Sequence, residues 1–267
     1  DGFSAVGASS YDASVRSWTV VLLLLCAALV ALGLYHLRAL PSGGSASEGR
    51  SLQDDLIGLR EVIGAFFTKR HIWYYIAFII LYRLGEGFVM KIVPLFLKAD
   101  TASGGLGLTN QQIGLYYGTF GAGAFLLGSL LAGYYIARRG LRRTLFTLCC
   151  IFNLPFGVYA LLAWFQPSSL WLVGGGIVVE YFGYGFGFTA YMLYMMYFSE
   201  GEFKTSHYAI CTAFMALSMM IPGMFAGYLQ EAVGYVNFFW IVILCCAATI
   251  VVTVFADRKI DPTYGKK

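Results

Sequence analysis

The sequence predicts an all-α polytopic membrane protein with about seven transmembrane helices, and three observations carry that expectation. The 267-residue chain is 59% hydrophobic and only 12% charged, whereas soluble domains carry about 25% charged residues to solvate their surfaces. Its apolar runs reach the roughly 20 residues that a helix needs to cross the hydrocarbon core. Those runs also lack the in–out alternation of a barrel strand. The formal charge of +4 is no nucleic-acid signal, because the basic residues sit in short loops between apolar runs.

Residues 1–17 precede the first run and are expected outside the cell. The first residue is Asp1 and no signal peptide is legible there, so the chain reads as a piece that begins partway through a longer protein. Residues 18–37 form the first expected span. Residues 38–71 form a cytoplasmic connector that opens with the flexible composition PSGGSASEGR. In the rest of the connector Leu52, Leu56, Leu59, Ile63 and Phe66 recur at three- and four-residue steps, the mark of an amphipathic helix. Ser51 and Asp54 offer it a weak cap, and it is expected to lie along the cytoplasmic face of the membrane.

Six further spans follow at 72–97, 111–136, 142–164, 170–198, 207–229 and 235–256, with a cytoplasmic tail at 257–267. The short loops fix the orientation, because positive loops stay cytoplasmic. Fourteen of the 18 Lys and Arg residues fall on one side when the chain starts outside, among them Lys69, Arg138, Arg139, Arg142, Arg143, Lys204 and Lys266. Arg16 and Lys98 fall on the other, while Arg83 and Lys91 lie within a span. One span before a long connector and six after it (72–256) is the plan of the C-terminal half of a major facilitator transporter. The first span is then the last helix of an N-terminal half whose remaining helices lie outside this sequence.

The stretch LYRLGEGFVMKIVPLFL, residues 81–97, places Arg83, Glu86 and Lys91 among apolar residues. At mid-bilayer each charge costs roughly 2.5–3.5 kcal/mol, so the three must face protein or water. Arg83 and Glu86 are three residues apart and share one helical face, whereas Lys91 is rotated by about 140° from Glu86. One reading is an internal ion pair that only holds helices together. The other is a substrate or proton pathway, with Glu86 a proton carrier, Arg83 its regulator or an anion clamp, and Lys91 either snorkelling to the outer end or facing the cavity from another angle. Gly85, Gly87 and Pro94 weaken or kink this helix for a midplane site, or the glycines serve close packing alone.

Glu180 is the other acid in an apolar run, inside GGGIVVEYFGYGFGFTAYMLYMMYF. Tyr184 and Tyr191 nearby can stack on sugars and donate hydrogen bonds, although most tyrosines in such a helix pack. Gly183, Gly185 and Gly187 permit close helix approach or bending. The six cysteines lie in apolar runs without CxxC spacing and read as packing residues. No nucleophile–base set, metal-ligand spacing or nucleotide loop is legible, so neither an enzyme nor a cofactor or metal site is expected.

Four ordered stretches resemble AmpG-like anhydromuropeptide permeases of the major facilitator superfamily. YYIAFIILYRLGEGF resembles their LYKLGDAF segment, and LGLTNQQIGLYYGTFGAGAFLLGSLLAGYYIARRGLRR their next hairpin. VVEYFGYGFGFTAYMLYMM resembles ENFxxGxGTAAFxAYLM, and TSHYAICTAFMALSMMIPGMFAGYLQEAVGYVNFFW a segment ending GWLAEALGWxxFF. The resemblance implies a proton-coupled importer of N-acetylglucosamine–anhydro-N-acetylmuramic acid, with or without peptide, that serves cell-wall recycling from a bacterial inner membrane. Its implied partners are that amino sugar, protons, the lipid bilayer and the other half of the same protein. By position Arg83 matches the family's basic residue, Glu86 its acid and Glu180 the acid of ENF. Ala137 departs from the Asp usual in the facilitator loop, and the surroundings of Lys91 also depart. The alternative is a facilitator carrying another saccharide, or a polar anion such as an acyl-coenzyme A-type substrate. A non-transporting scaffold is the third possibility, and it gives no reason for acids in oil.

Overall fold

The computed structural model describes residues 10–40, 52–257 and 260–266. Every expected span coincides with helix, and no described residue is in a strand. The expected linker at 41–50 and the Ser51 cap lie outside the described residues, as do the side chains of Leu52, Asp54 and Leu56. The chain divides into two compact units, Asp1–Ile57 and Gly58–Lys267.

The first unit contains α1, Ser10–Ala39. Its Val15–Ala39 portion is long and apolar enough to cross a membrane, and its leucines and valines are exposed along its length. An apolar helix of this kind requires lipid or other helices around it. Helix α2, Leu52–Phe67, begins in this unit and ends in the second. Of its expected apolar stripe, Phe66 is buried, while Leu59 and Ile63 stay exposed.

In the second unit the span expected at 72–97 is two helices, α3 (Ile72–Tyr82) and α4 (Leu84–Lys98), broken at Arg83 with φ −104° and ψ 14°. Pro94 lies within α4, so the interruption falls at Arg83 and not at the proline. The break leaves few orphan groups. Thr249 Oγ1 donates to the Leu81 carbonyl at 2.9 Å, and the Arg83 carbonyl accepts from the Gly87 amide at 2.9 Å.

Thr109 opens the next span with a capping box, its hydroxyl accepting from Gln112 N and its amide donating to Gln112 Oε1. This span runs as α5 (Asn110–Ile113), a π-helical stretch at Gly114–Phe120, and α6 (Gly121–Arg139). Gly140, at φ +84°, is the whole turn into α7, Leu141–Asn153. A side chain there is strained by the left-handed backbone. The expected span at 142–164 is again two helices, since Pro155 lacks an amide proton and starts α8, Phe156–Phe165.

Helix α9, Leu170–Ser199, is the centre of the unit. It packs on α6 along one side and on α7 and α8 along another. Alternate glycines explain how. Residues two apart on a helix point about 200° apart. A Cβ at Gly185 would strike the backbone of Phe125 and Ser129 on α6. One at Gly183 would strike Ile151 O and Pro155, and one at Gly187 the Phe152 side chain. Last comes α10, Lys204–Asp257, interrupted by the non-helical Gly234 and so two helices in effect, packed on α3 and α4. Gly85 and Gly87 face it: a Cβ at Gly87 would strike the Pro222 ring, and one at Gly85 would come within 2.9 Å of Cys246 Sγ. Close packing accounts for both.

Candidate functional site

The break at Arg83 sets the site. With the backbone out of helical geometry there, the guanidinium turns onto the first turn of α4. Arg83 Nε donates to Glu86 Oε2 at 2.6 Å, and Nη2 donates to Glu86 Oε1. This is a bidentate, charge-assisted pair, buried on both sides, with Arg83 at 6% and Glu86 at 2% exposure. Nη2 also reaches Tyr184 OH at 3.3 Å. The guanidinium carbon stands 5.3 Å from the Phe188 ring centroid and 5.9 Å from that of Tyr191. Aromatic faces on α9 thus share the positive charge that Glu86 balances.

Tyr191 is fully buried and its hydroxyl donates to the Ile79 carbonyl at 2.9 Å. Its ring stacks on Tyr82 at 5.1 Å. It serves as a wall of the pair and a tie between α9 and α3. Tyr184 is half-buried, with its ring 5.0 Å from Phe125 of α6. Glu180 lies one helical turn from Tyr184 on α9 and accepts a hydrogen bond from Tyr159 OH of α8 at 3.1 Å. It is 6% exposed, and no cation bonds it among the described residues. Tyr117 of the π-helical stretch, Tyr181 and Tyr184 meet ring to ring at 4.9 and 6.2 Å, and these three and Glu86 are within electrostatic range of it. The two buried acids therefore differ: Glu86 is held by a cation, Glu180 by a neutral phenol.

Lys91 stands apart. It is exposed, and its aliphatic stem lies against Gly223 of α10, where a Cβ would come 3.1 Å from its Cε. It lines a separate groove of about 510 Å³ with Met90, Met219, Met220 and Met224. The structure thus brings Arg83, Glu86, Tyr184 and Tyr191 together, places Glu180 beside them, and leaves Lys91 on another face. Sequence reasoning missed Tyr159 and Phe188. Phe188 follows Tyr184 by one turn and could have been found by helical spacing. Tyr159 carries no such signal, since its contact with Glu180 is set by helix packing alone.

At one end of the unit, Lys69 Nζ donates to the carbonyls of Phe198 at 2.7 Å and Glu200 at 3.0 Å, a cation on the C-terminus of α9. Burial lowers its pKa from the usual 10.5. Several segments expected on the cytoplasmic side meet at this end: the Lys69 turn, the 199–203 loop, the Gly140 turn and the 260–266 tail.

Comparison with known proteins agrees with this architecture. The Major Facilitator Superfamily model matches residues 80–266. The "Anhydromuropeptide permease" of Escherichia coli (strain K12) is 26% identical over 208 residues, covering 74% of this chain and 41% of the relative. A Haemophilus influenzae protein named only "Uncharacterized protein" is 25% identical over 172 residues, 62% of this chain and 39% of the relative. A Rickettsia bellii protein designated AmpG 1 is 23% identical over 185 residues, 69% of this chain and 43% of the relative. The chain spans about two fifths of the length of these relatives.

Proposed function

The chain belongs to the Major Facilitator Superfamily, and from that premise we propose that it forms part of a proton-coupled importer of anhydromuropeptides. The observation that carries the reading is the buried polar seam of α4 and α9, with a cation–carboxylate pair at Arg83–Glu86 and a second acid, Glu180, that accepts from the neutral Tyr159 and has no cation bonded to it among the described residues. Intramembrane ionisable groups are costly and mark ion or substrate routes. A structural pair explains Arg83 and Glu86 but gives no reason for Glu180. Likeness to the Escherichia coli permease supports the cargo.

In this reading the protein is a multi-pass protein of a bacterial inner membrane, with its C-terminus in the cytoplasm. The second unit is one six-helix half, and the other wall of the cavity comes from an N-terminal half. Arg83 attracts the anionic saccharide, and competition of that anion with Glu86 for the guanidinium links binding to rearrangement. A proton taken up by a buried acid removes a charge that would otherwise oppose the return step. The two halves then rock about the midplane site. The test is uptake of labelled N-acetylglucosamine–anhydro-N-acetylmuramic acid by the full-length protein in cells lacking their own muropeptide permease. Excess unlabelled disaccharide should abolish the signal and coenzyme A thioesters should not. Absent disaccharide uptake together with uptake of a labelled coenzyme A thioester would move the assignment to an acyl-coenzyme A-type cargo.

A further inference from the structure

We propose that residues 260–266 form a strap that closes one end of the cavity between α6 and α9, and that it must lift for cargo to pass. The inference rests on the transport reading above. Within residues 260–266 the chain forms a turn. Asp261 Oδ1 accepts from Thr263 N at 2.7 Å and from Thr263 Oγ1 at 2.6 Å, which shapes the turn.

The segment binds the ends of three helices. The Tyr264 carbonyl accepts from Leu141 N at 3.0 Å, satisfying one of the orphan amides in the first turn of α7. The Asp261 amide donates to Tyr197 OH near the end of α9 at 3.2 Å. The Tyr264 and Tyr197 rings meet edge to face at 4.7 Å. Gly265 sits on Ile136 of α6, and Ile260 is buried. Gly140 leaves room for the strap, since a Cβ there would lie 3.3 Å from Pro262 O. The turn ARRGLRR, residues 137–143, carries four arginines and no acid. Asp261 supplies one, within electrostatic range of Arg142.

What the strap covers gives it a role. A cavity of about 690 Å³ lies between α6 and α9, lined by Ser129, Phe188, Thr189 and Met192 and, at its outer end, by Gly265 and Lys266. Phe188 is the ring beneath the Arg83 guanidinium. The cavity therefore reaches from the ring that backs the Arg83 guanidinium to the strap. Two hydrogen bonds, a ring contact, the Gly265 contact on Ile136 and the buried Ile260 hold an otherwise exposed segment, and such segments open far more readily than a helical core.

The test is independent of any cargo. Thr189→Cys in the full-length protein is labelled with a membrane-impermeant maleimide in open membrane fragments, where the reagent reaches both faces, against the same protein without that cysteine. Deleting residues 260–266 should raise the labelling rate about tenfold, as expected when a dominant closed state is removed. The double variant Asp261→Ala, Tyr264→Ala should do the same in part, and it decides the matter if the deletion does not fold. Unchanged labelling in a folded variant overturns the strap. Faster labelling in a protein that takes up no muropeptide would uphold the strap and sink the cargo assignment.

Discussion

Arg83 grips Glu86 with two parallel hydrogen bonds where α3 breaks into α4. Removing one partner leaves a buried charge unpaired, which typically costs about 3–5 kcal/mol. Arg83→Met and Glu86→Leu alone should each lower the melting temperature of the purified full-length protein. The double variant should recover most of the loss, since an apolar pair often replaces a buried ion pair without net cost. Uptake should stay absent in all three. Normal uptake by a stable double variant would make the pair structural only.

Glu180 is bonded by a neutral partner, so its amide isostere should fold. Glu180→Gln keeps an oxygen to accept from Tyr159 OH. The expected outcome is loss of proton-driven accumulation by about tenfold or more, equivalent to about 1.4 kcal/mol, with exchange of preloaded cargo retained. Accumulation at the parental level would remove Glu180 from the coupling route.

The glycines of the α6–α9 seam divide by what they face. A Cβ at Gly128 would strike the backbone of Phe182, and nothing lies within 4 Å of a Cβ at Gly123, five residues earlier on α6. Gly128→Ala should destabilise by about 1–3 kcal/mol through overpacking. Gly123→Ala should be neutral or stabilising by about 0.5–1 kcal/mol, since it only restricts the unfolded chain. Thermal melts of the two purified variants check the contrast, and equal effects would contradict the packing described.

Asp261 gives the strap a pH dependence. Its bonds from Thr263, with a smaller contribution from Arg142, hold its pKa below the usual 3.8. A depressed carboxylate contributes stability above its unfolded pKa, and that contribution is lost as the pH falls through the folded value. Protection of the Leu141 amide from hydrogen exchange should therefore be flat at neutral pH and decline only below about pH 4. Asp261→Asn should remove the decline, which a control amide in α9 should not show in either protein.

The spans were legible because lipid demands long apolar runs, and all seven expected runs are helical. The interruptions were less so. Pro94 suggested a kink, yet α4 runs through it, while the span breaks at Arg83, where Thr249 takes the Leu81 carbonyl and the guanidinium turns onto Glu86. Pro155 was visible, but 142–164 still read as one helix. The π-helical stretch at Gly114–Phe120 has no sequence signal. In the site, the three-residue spacing of Arg83 and Glu86 foretold their pairing, whereas Lys91, expected with them on the substrate or proton pathway, lies on another face because its rotation about the helix turns it toward Gly223 of α10. The Tyr159–Glu180 bond depends on how α8 lies against α9, and local pattern does not encode it.

Joint movement of cargo and protons is measured in reconstituted vesicles. The full-length protein is placed in proteoliposomes with labelled N-acetylglucosamine–anhydro-N-acetylmuramic acid outside, under an inward proton gradient and then with the gradient collapsed by an uncoupler. Accumulation above the outside concentration that vanishes with the gradient, together with alkalinisation outside on adding unlabelled disaccharide, is the predicted result. Uptake that merely equilibrates, with no proton movement, would contradict coupling, and no uptake by well-folded protein would contradict the cargo.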